Sequence, residues 1–159
     1  MKLYIKQKIF TWGDRFSVYD VDGSERYFVE GEVFTFGKKL HLSDASGAEL
    51  AYIEQELFHF LPRYTVYRNG TAFAEVVKEF SLFHPEYTVE GPGWSVTGDF
   101  WNHEYEIRTG DTVLASVSKE WFTLGDAYEI SLAEGTDTVA VLAVVLVIDA
   151  CIEAQRRRS

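Results

Sequence analysis

Six stretches of this chain follow one pattern: IFTWGDRFSVY, VFTFGKKLHLS, LFHFLPRYTVY, FSLFHPEYTVE, GDFWNHEYEIR and WFTLGDAYEIS. Each places a bulky apolar residue (Trp12, Phe36, Phe60, Phe83, Trp101 or Leu124) directly before a turn-forming pair. The pairs are Gly13-Asp14, Gly37-Lys38, Leu61-Pro62, His84-Pro85, Asn102-His103 and Gly125-Asp126. Four residues after the bulky one stands Phe16, Leu40, Tyr64, Tyr87, Tyr105 or Tyr128; two further on stands Val18, Leu42, Val66, Val89, Ile107 or Ile130. Glycine reaches positive φ without a steric cost and proline pre-sets φ, so these pairs predict tight turns in which Gly13, Gly37 and Gly125 are structural. After each turn, apolar and polar residues alternate, the period of a strand with one buried face.

A second class of turn separates the hairpins: DVDGSE, SDASG, RNG, EGPG, TGD and AEGTD. Six hairpins then make twelve antiparallel strands over about residues 1–134. A longer echo agrees. ELAYIEQEL, AFAEVVKEF and VLASVSKEW align Ala51, Ala74 and Ala115, with Glu56, Glu79 and Glu120 five residues later. Such copies suit a repetitive sheet better than a catalytic centre.

Twelve strands have vulnerable edges unless the sheet closes, and a barrel that wide is not filled by its own side chains. The filler is expected in DTVAVLAVVLVIDAC, Asp137 to Cys151. Val139 to Ile148 is ten uncharged residues, a helix of roughly 15 Å against about 30 Å of hydrocarbon. A longer span would take in Asp149 and Glu153, and an acidic residue at a membrane-helix centre costs about 2.5–3.5 kcal/mol. Residues 138–155 contain no Gly and no Pro, and Asp137 is a suitable N-cap. A helix apolar all round is a buried one. The segment therefore reads as a buried C-terminal α-helix over about 138–155, with Val141, Val144, Val145 and Ile148 all in the core and no transmembrane segment.

These motifs resemble the LURP-one-related family of the Tubby C-terminal-like superfamily, which includes phospholipid scramblases. The resemblance is carried by YIKQKIFTWGDRF, ELAYIEQELFHFLPRY, GDFWNHEYEI, SKEWFTLGDAYEI and the apolar end with IDAC. It covers essentially the whole chain, residues 1–159, as one domain. It implies a mainly β fold: a closed antiparallel barrel of about twelve strands around a central hydrophobic helix. It also brings phosphoinositide binding (Tubby-type domains) and calcium-linked lipid movement (scramblases) into view as expectations.

The chain itself offers little chemistry. Its formal charge of −10 opposes general nucleic-acid binding. Cys151 is the single cysteine, so no intrachain disulfide or cysteine-based zinc site forms. The first residues scatter lysines among apolar positions and do not read as a secretory signal, which makes the cytoplasm the expected location, peripheral to a membrane in a lipid-binding reading. There is no Gly-x-Ser-x-Gly elbow, no His-Glu-x-x-His and no phosphate-binding glycine loop, so neither an enzyme nor a cofactor is expected. His41 and His59 read as strand residues, His84 and His103 as turn residues. Three weaker candidates stand out. Lys38 and Lys39 in a hairpin turn are the ones for an anionic headgroup. Asp99, His103 and Glu104 form a polar group, the place for an unrecognised catalytic site. Asp20, Asp22 and Glu25 around Gly23 are the only metal candidates, and turn chemistry explains them without a metal. The expected function is a non-enzymatic binding or scaffold domain for a protein partner or a phospholipid headgroup. Scramblase-like lipid handling is the alternative.

Overall fold

The computed structural model describes residues 1–6, 15–32, 36–81, 84–120 and 127–158. Gly13, Gly125 and their turn pairs, with Trp12, Phe83 and Leu124, lie outside the described residues. Twelve strands follow in chain order: β1 (Lys2–Lys6), β2 (Arg15–Tyr19), β3 (Glu25–Gly31), β4 (Lys39–Asp44), β5 (Glu49–Gln55), β6 (Arg63–Arg68), β7 (Thr71–Glu79), β8 (Glu86–Glu90), β9 (Trp94–Asp99), β10 (Glu104–Thr109), β11 (Thr112–Glu120) and β12 (Ala127–Leu132). Each pairs antiparallel with its sequence neighbours. β1 then closes on β12, from Lys2 opposite Ser131 to Lys6 opposite Ala127. The closed barrel leaves no strand edge open to another chain.

The repeat positions face inward as the alternation predicts. Leu40, Tyr64, Tyr87, Tyr105 and Tyr128 form one buried belt, joined by partly buried Phe16. Val18, Leu42, Val66, Val89, Ile107 and Ile130 form a second belt deeper in the barrel. Register shifts recur just after the second belt, between Val18 and Tyr19, Leu42 and Ser43, Val66 and Tyr67, and Ile107 and Arg108. Bulges at one level add twist and help curve the sheet into a barrel. Gly98 in β9 has φ +143°; a Cβ there would lie 2.5 Å from the Glu104 carbonyl oxygen and 2.6 Å from Tyr105 Cα on the neighbouring strand. Only glycine allows that approach.

The helix α1 runs from Thr138 to Arg158, slightly beyond the expected end. Asp137 caps it: its Oδ1 accepts from Ala140 N at 3.2 Å and its carbonyl from Val141 N at 3.1 Å. Ala140 to Ile148 are buried without interruption, followed by Ala150, Cys151 and Ile152. Val141, Val144, Val145 and Ile148 are thus all in the core, on different sides of the helix. By length and composition α1 is apolar enough to cross a membrane. Here the barrel wall surrounds it instead, and both inner belts pack on it.

The connections alternate between the two ends. The hairpin turns β3–β4, β5–β6, β7–β8 and β9–β10 share one end, called the rim. The glycine turns, including Asp20–Ser24, Asp44–Ala48 and Asn69–Gly70, share the other, called the base. α1 follows β12 at the base, so its C-terminal turns emerge at the rim.

Candidate functional site at the rim of the barrel

The rim turns carry apolar side chains that the barrel does not use. Phe36 lies between β3 and β4, Leu57, Phe58 and Phe60 between β5 and β6, and Phe80 between β7 and β8. Trp101 lies in a one-turn 3-10 helix, Phe100–Asn102, between β9 and β10. Phe36, Phe58 and Phe60 are 90–101% exposed, Phe80 72% and Trp101 43%. The other large apolar side chains exposed among the described residues, Met1 and Val21, are at the base. The helix end adds Arg156, Arg157 and Arg158. The Arg156 guanidinium lies 5.8 Å from the Trp101 ring centre, and Arg157 pairs with Glu153 at 3.3 Å.

Lys38 belongs to this end. Its Nζ donates to the Ala150 carbonyl at 2.8 Å, tying the β3–β4 turn to the helix. Burial lowers the pKa of its ammonium below the usual lysine value. Lys39 begins β4, opposite Glu54.

Asp99, His103 and Glu104 are neighbours in space but face different ways. Asp99 Oδ2 accepts from Asn102 Nδ2 at 2.6 Å and Oδ1 from Asn102 N at 3.3 Å, closing the 3-10 turn. Glu104 Oε1 accepts from Lys119 N at 3.1 Å. His103 adopts the left-handed conformation (φ 52°) and turns into the barrel. There its ring stacks on Tyr128 at 4.5 Å, with planes 5° apart.

That inward turn assembles a polar cluster. The Tyr128 hydroxyl donates to Asp149 Oδ2, and Asp149 Oδ1 lies 3.8 Å from His103 Nδ1. The Asp149 side chain keeps a quarter of its exposure, yet Oδ1 itself has no contact with solvent. The Tyr105 hydroxyl is buried nearby, with no hydrogen-bond partner among the described residues. Burial raises the Asp149 carboxyl to a pKa of about 7, against the opposing pull of the Tyr128 hydroxyl and Arg156. Burial, then Arg156 and Lys119, lowers His103 to about 4. At neutral pH His103 is therefore an uncharged ring, and its contact with Asp149 is not an ion pair. Burial also pushes the Cys151 thiol up to about 11. A thiol there is a poor nucleophile.

The remaining candidates have local tasks. Asp20 Oδ1 accepts from Asp22 N and Ser24 N, at 2.9 and 3.0 Å, and its carboxylate lies 3.5 Å from Arg26. Among the described residues no group of His, Cys, Asp or Glu is arranged to hold a metal ion. His59 lies in the β5–β6 turn rather than in a strand, because β5 ends at Gln55 and Pro62 precedes β6. Sequence reasoning passed over the Tyr105–Tyr128–Asp149 grouping; an acidic residue ending an apolar run was the signal available for it.

Comparison with known proteins agrees with this architecture. Residues 1–149 match the LURP-one-related family model. The chain is 37% identical over 149 residues to the uncharacterized protein YxjI of Bacillus subtilis (strain 168), covering 94% of this chain and 92% of that protein. An X-ray structure of an Arabidopsis thaliana protein is similar in fold, with a TM-score of 0.69 over 94% of this chain and 89% of that one, at 17% identity. Twelve closed strands, a buried C-terminal helix and a family match over nearly the whole chain place this protein in the LURP-one-related family.

Proposed function

We propose that this protein is a non-catalytic barrel that attaches by its rim to a lipid interface, as a cytoplasmic protein peripheral to a membrane. One observation carries the reading. The exposed aromatic side chains sit on successive hairpin turns at one end, around the arginine-rich end of the central helix. Burying a phenylalanine side chain gains about 1.5–3 kcal/mol. A single tip holds a protein marginally; several acting together hold it firmly, as with paired lipid anchors. The tips come from separate turns at one end, an arrangement that suits insertion between headgroups. Trp101 beside Arg156 is the pairing of aromatic ring and long cation favoured where apolar tails meet headgroups.

Charge orients the molecule. A chain of net charge −10 is repelled by an anionic bilayer as a whole. A basic residue near such a surface contributes roughly 1 kcal/mol of attraction. Arg156 to Arg158 therefore favour the rim-down approach, while Glu79, Asp99, Glu104 and Glu153 moderate it. The apolar tips carry the affinity. Attachment fits better than lipid transport, because the barrel interior is filled by α1. Catalysis finds no support in Asp99, His103 and Glu104, which serve a turn, the interior and a backbone N–H.

Flotation with phosphatidylcholine–phosphatidylserine vesicles tests this. The protein is expected to float with the vesicles, and a Phe58→Ser/Phe60→Ser variant to stay behind. Both side chains are exposed on a turn, so the variant keeps its fold. Failure of the unaltered protein to float, or equal flotation of the variant, would sink the proposal.

A further inference from the structure

The barrel carries a concave feature on its outer wall, across β4, β5 and β6. It is a groove of about 500 Å³ that reaches the base turn at Asn69 and Gly70. Strand register builds its floor. His41 stands opposite Tyr52, and Tyr52 opposite Tyr67. The three rings follow one another at 5.0 and 5.8 Å between centres, tilted by 35° and 31°. Glu32, Glu49 and Glu54 also line it.

The charges in the groove are arranged rather than scattered. His41 Nε2 lies 2.8 Å from Glu32, and Nδ1 contacts Glu49. Burial opposes a charged imidazole here, but the two carboxylates outweigh it and raise its pKa. With one ring nitrogen against each carboxylate, His41 bridges Glu32 and Glu49 and holds both in place. Glu32 and Glu49 flank the ring and Glu54 stands opposite Lys39, so carboxylates outnumber the basic side chains at the groove. Burial, Glu54 and Glu32 together push the Tyr52 hydroxyl to about 12, so Tyr52 keeps its proton and its neutral π-face.

We propose that this groove is a binding site for a small soluble organic ammonium ion, held over the Tyr52 and Tyr67 rings beside Glu54. Aromatic faces attract cations, and the attraction grows when the cation is partly desolvated. A concave aromatic floor supplies that desolvation, and the carboxylates supply the sign of the charge. Carboxylates alone would hold an inorganic cation or solvent; the row of rings is what selects an organic one. The groove runs along the outer wall from Asn69 and Gly70 at the base to Glu32 and Glu54 near the rim ends of β3 and β5, and it shares no residue with the aromatic tips of the rim. The two sites are independent, and failure of either leaves the other standing.

The test is a titration of the full chain with choline chloride, followed by amide NMR shifts at His41, Tyr52 and Tyr67. The neutral isostere 3,3-dimethylbutan-1-ol is titrated in parallel. Choline is expected to give saturable shifts confined to the groove, with the isostere at least several-fold weaker. Tyr52→Leu and Glu54→Gln should each weaken choline binding by about 2- to 30-fold, the range of a cation–π or partly buried charge contact. Tyr52→Phe, which keeps the ring, should bind like the unaltered protein. The absence of saturable shifts at tens of millimolar choline, equal binding of the isostere, or unchanged binding by both Tyr52→Leu and Glu54→Gln would each overturn the proposal.

Discussion

Replacing Asp149 with asparagine should change how stability depends on pH. The carboxyl pKa rises from 3.8 in an unfolded chain to about 7 in the barrel. Each pKa unit corresponds to about 1.4 kcal/mol, so the shift corresponds to roughly 4 kcal/mol in all. The sign follows from proton counting. Between pH 3.8 and 7 the folded protein holds a proton on Asp149 that the unfolded chain has lost. This contribution is fully present below pH 3.8, falls as pH rises, and levels off above about 7. Roughly 3 kcal/mol of the loss lies between pH 5 and 8. His103 works in the opposite direction. Lowered to about 4, it is neutral when folded, and it costs stability as pH falls below its unfolded value of 6.5. Asp149→Asn keeps His103, so that component largely cancels when variant and parent are compared.

The assay is urea unfolding of both proteins at several pH values from 5 to 8. The variant should gain on the parent steadily with pH, by about 3 kcal/mol across that range, or about 1 M or more in urea midpoint. Asparagine fits the same space and can still accept from the Tyr128 hydroxyl. Parallel pH profiles for the two proteins would refute the reasoning, because they would mean that Asp149 is ionised in the folded barrel throughout.

Two packing predictions accompany it. Leu142 is fully buried in the helix, so Leu142→Ala should lower unfolding stability by about 2–5 kcal/mol, read by the same urea method. Gly98→Ala brings a methyl group within 2.5 Å of the β10 backbone at an unfavourable φ, so thermal unfolding should show a drop in Tm of at least several degrees, whereas the exposed turn substitution Gly47→Ala, with nothing within 4 Å, should lower it less.

Much of the fold was legible because the repeat spells out the strand period and its turns. Tyr64, Tyr87, Tyr105 and Tyr128 could be assigned inward from spacing alone, and the structure buries each of them. Asp137 and the residues after it announced the helix. The destination of Phe36, Phe60 and Trp101 was not legible. A bulky residue beside a turn fits a core or a surface equally well, and only the closed barrel leaves these at its rim. Asp99, His103 and Glu104 misled by adjacency. A 3-10 turn and one left-handed residue send their side chains to different places. His41, Tyr52 and Tyr67 are far apart in sequence, and only the register of β4, β5 and β6 aligns them. Asp149 lay in plain view, but its partners come from β10 and β12, and no local pattern names them.

The central claim is that the rim, and not the barrel as a whole, meets the membrane. Depth measured by spin-label accessibility in the vesicle-bound protein tests it most directly, with one label at Phe58→Cys on the rim and one at Ser46→Cys on the base; the native Cys151 is buried. The account predicts that adding vesicles makes the rim label accessible to oxygen and shielded from a water-soluble relaxer, while the base label stays in water. Both labels remaining aqueous, or the base label entering the bilayer, would contradict it.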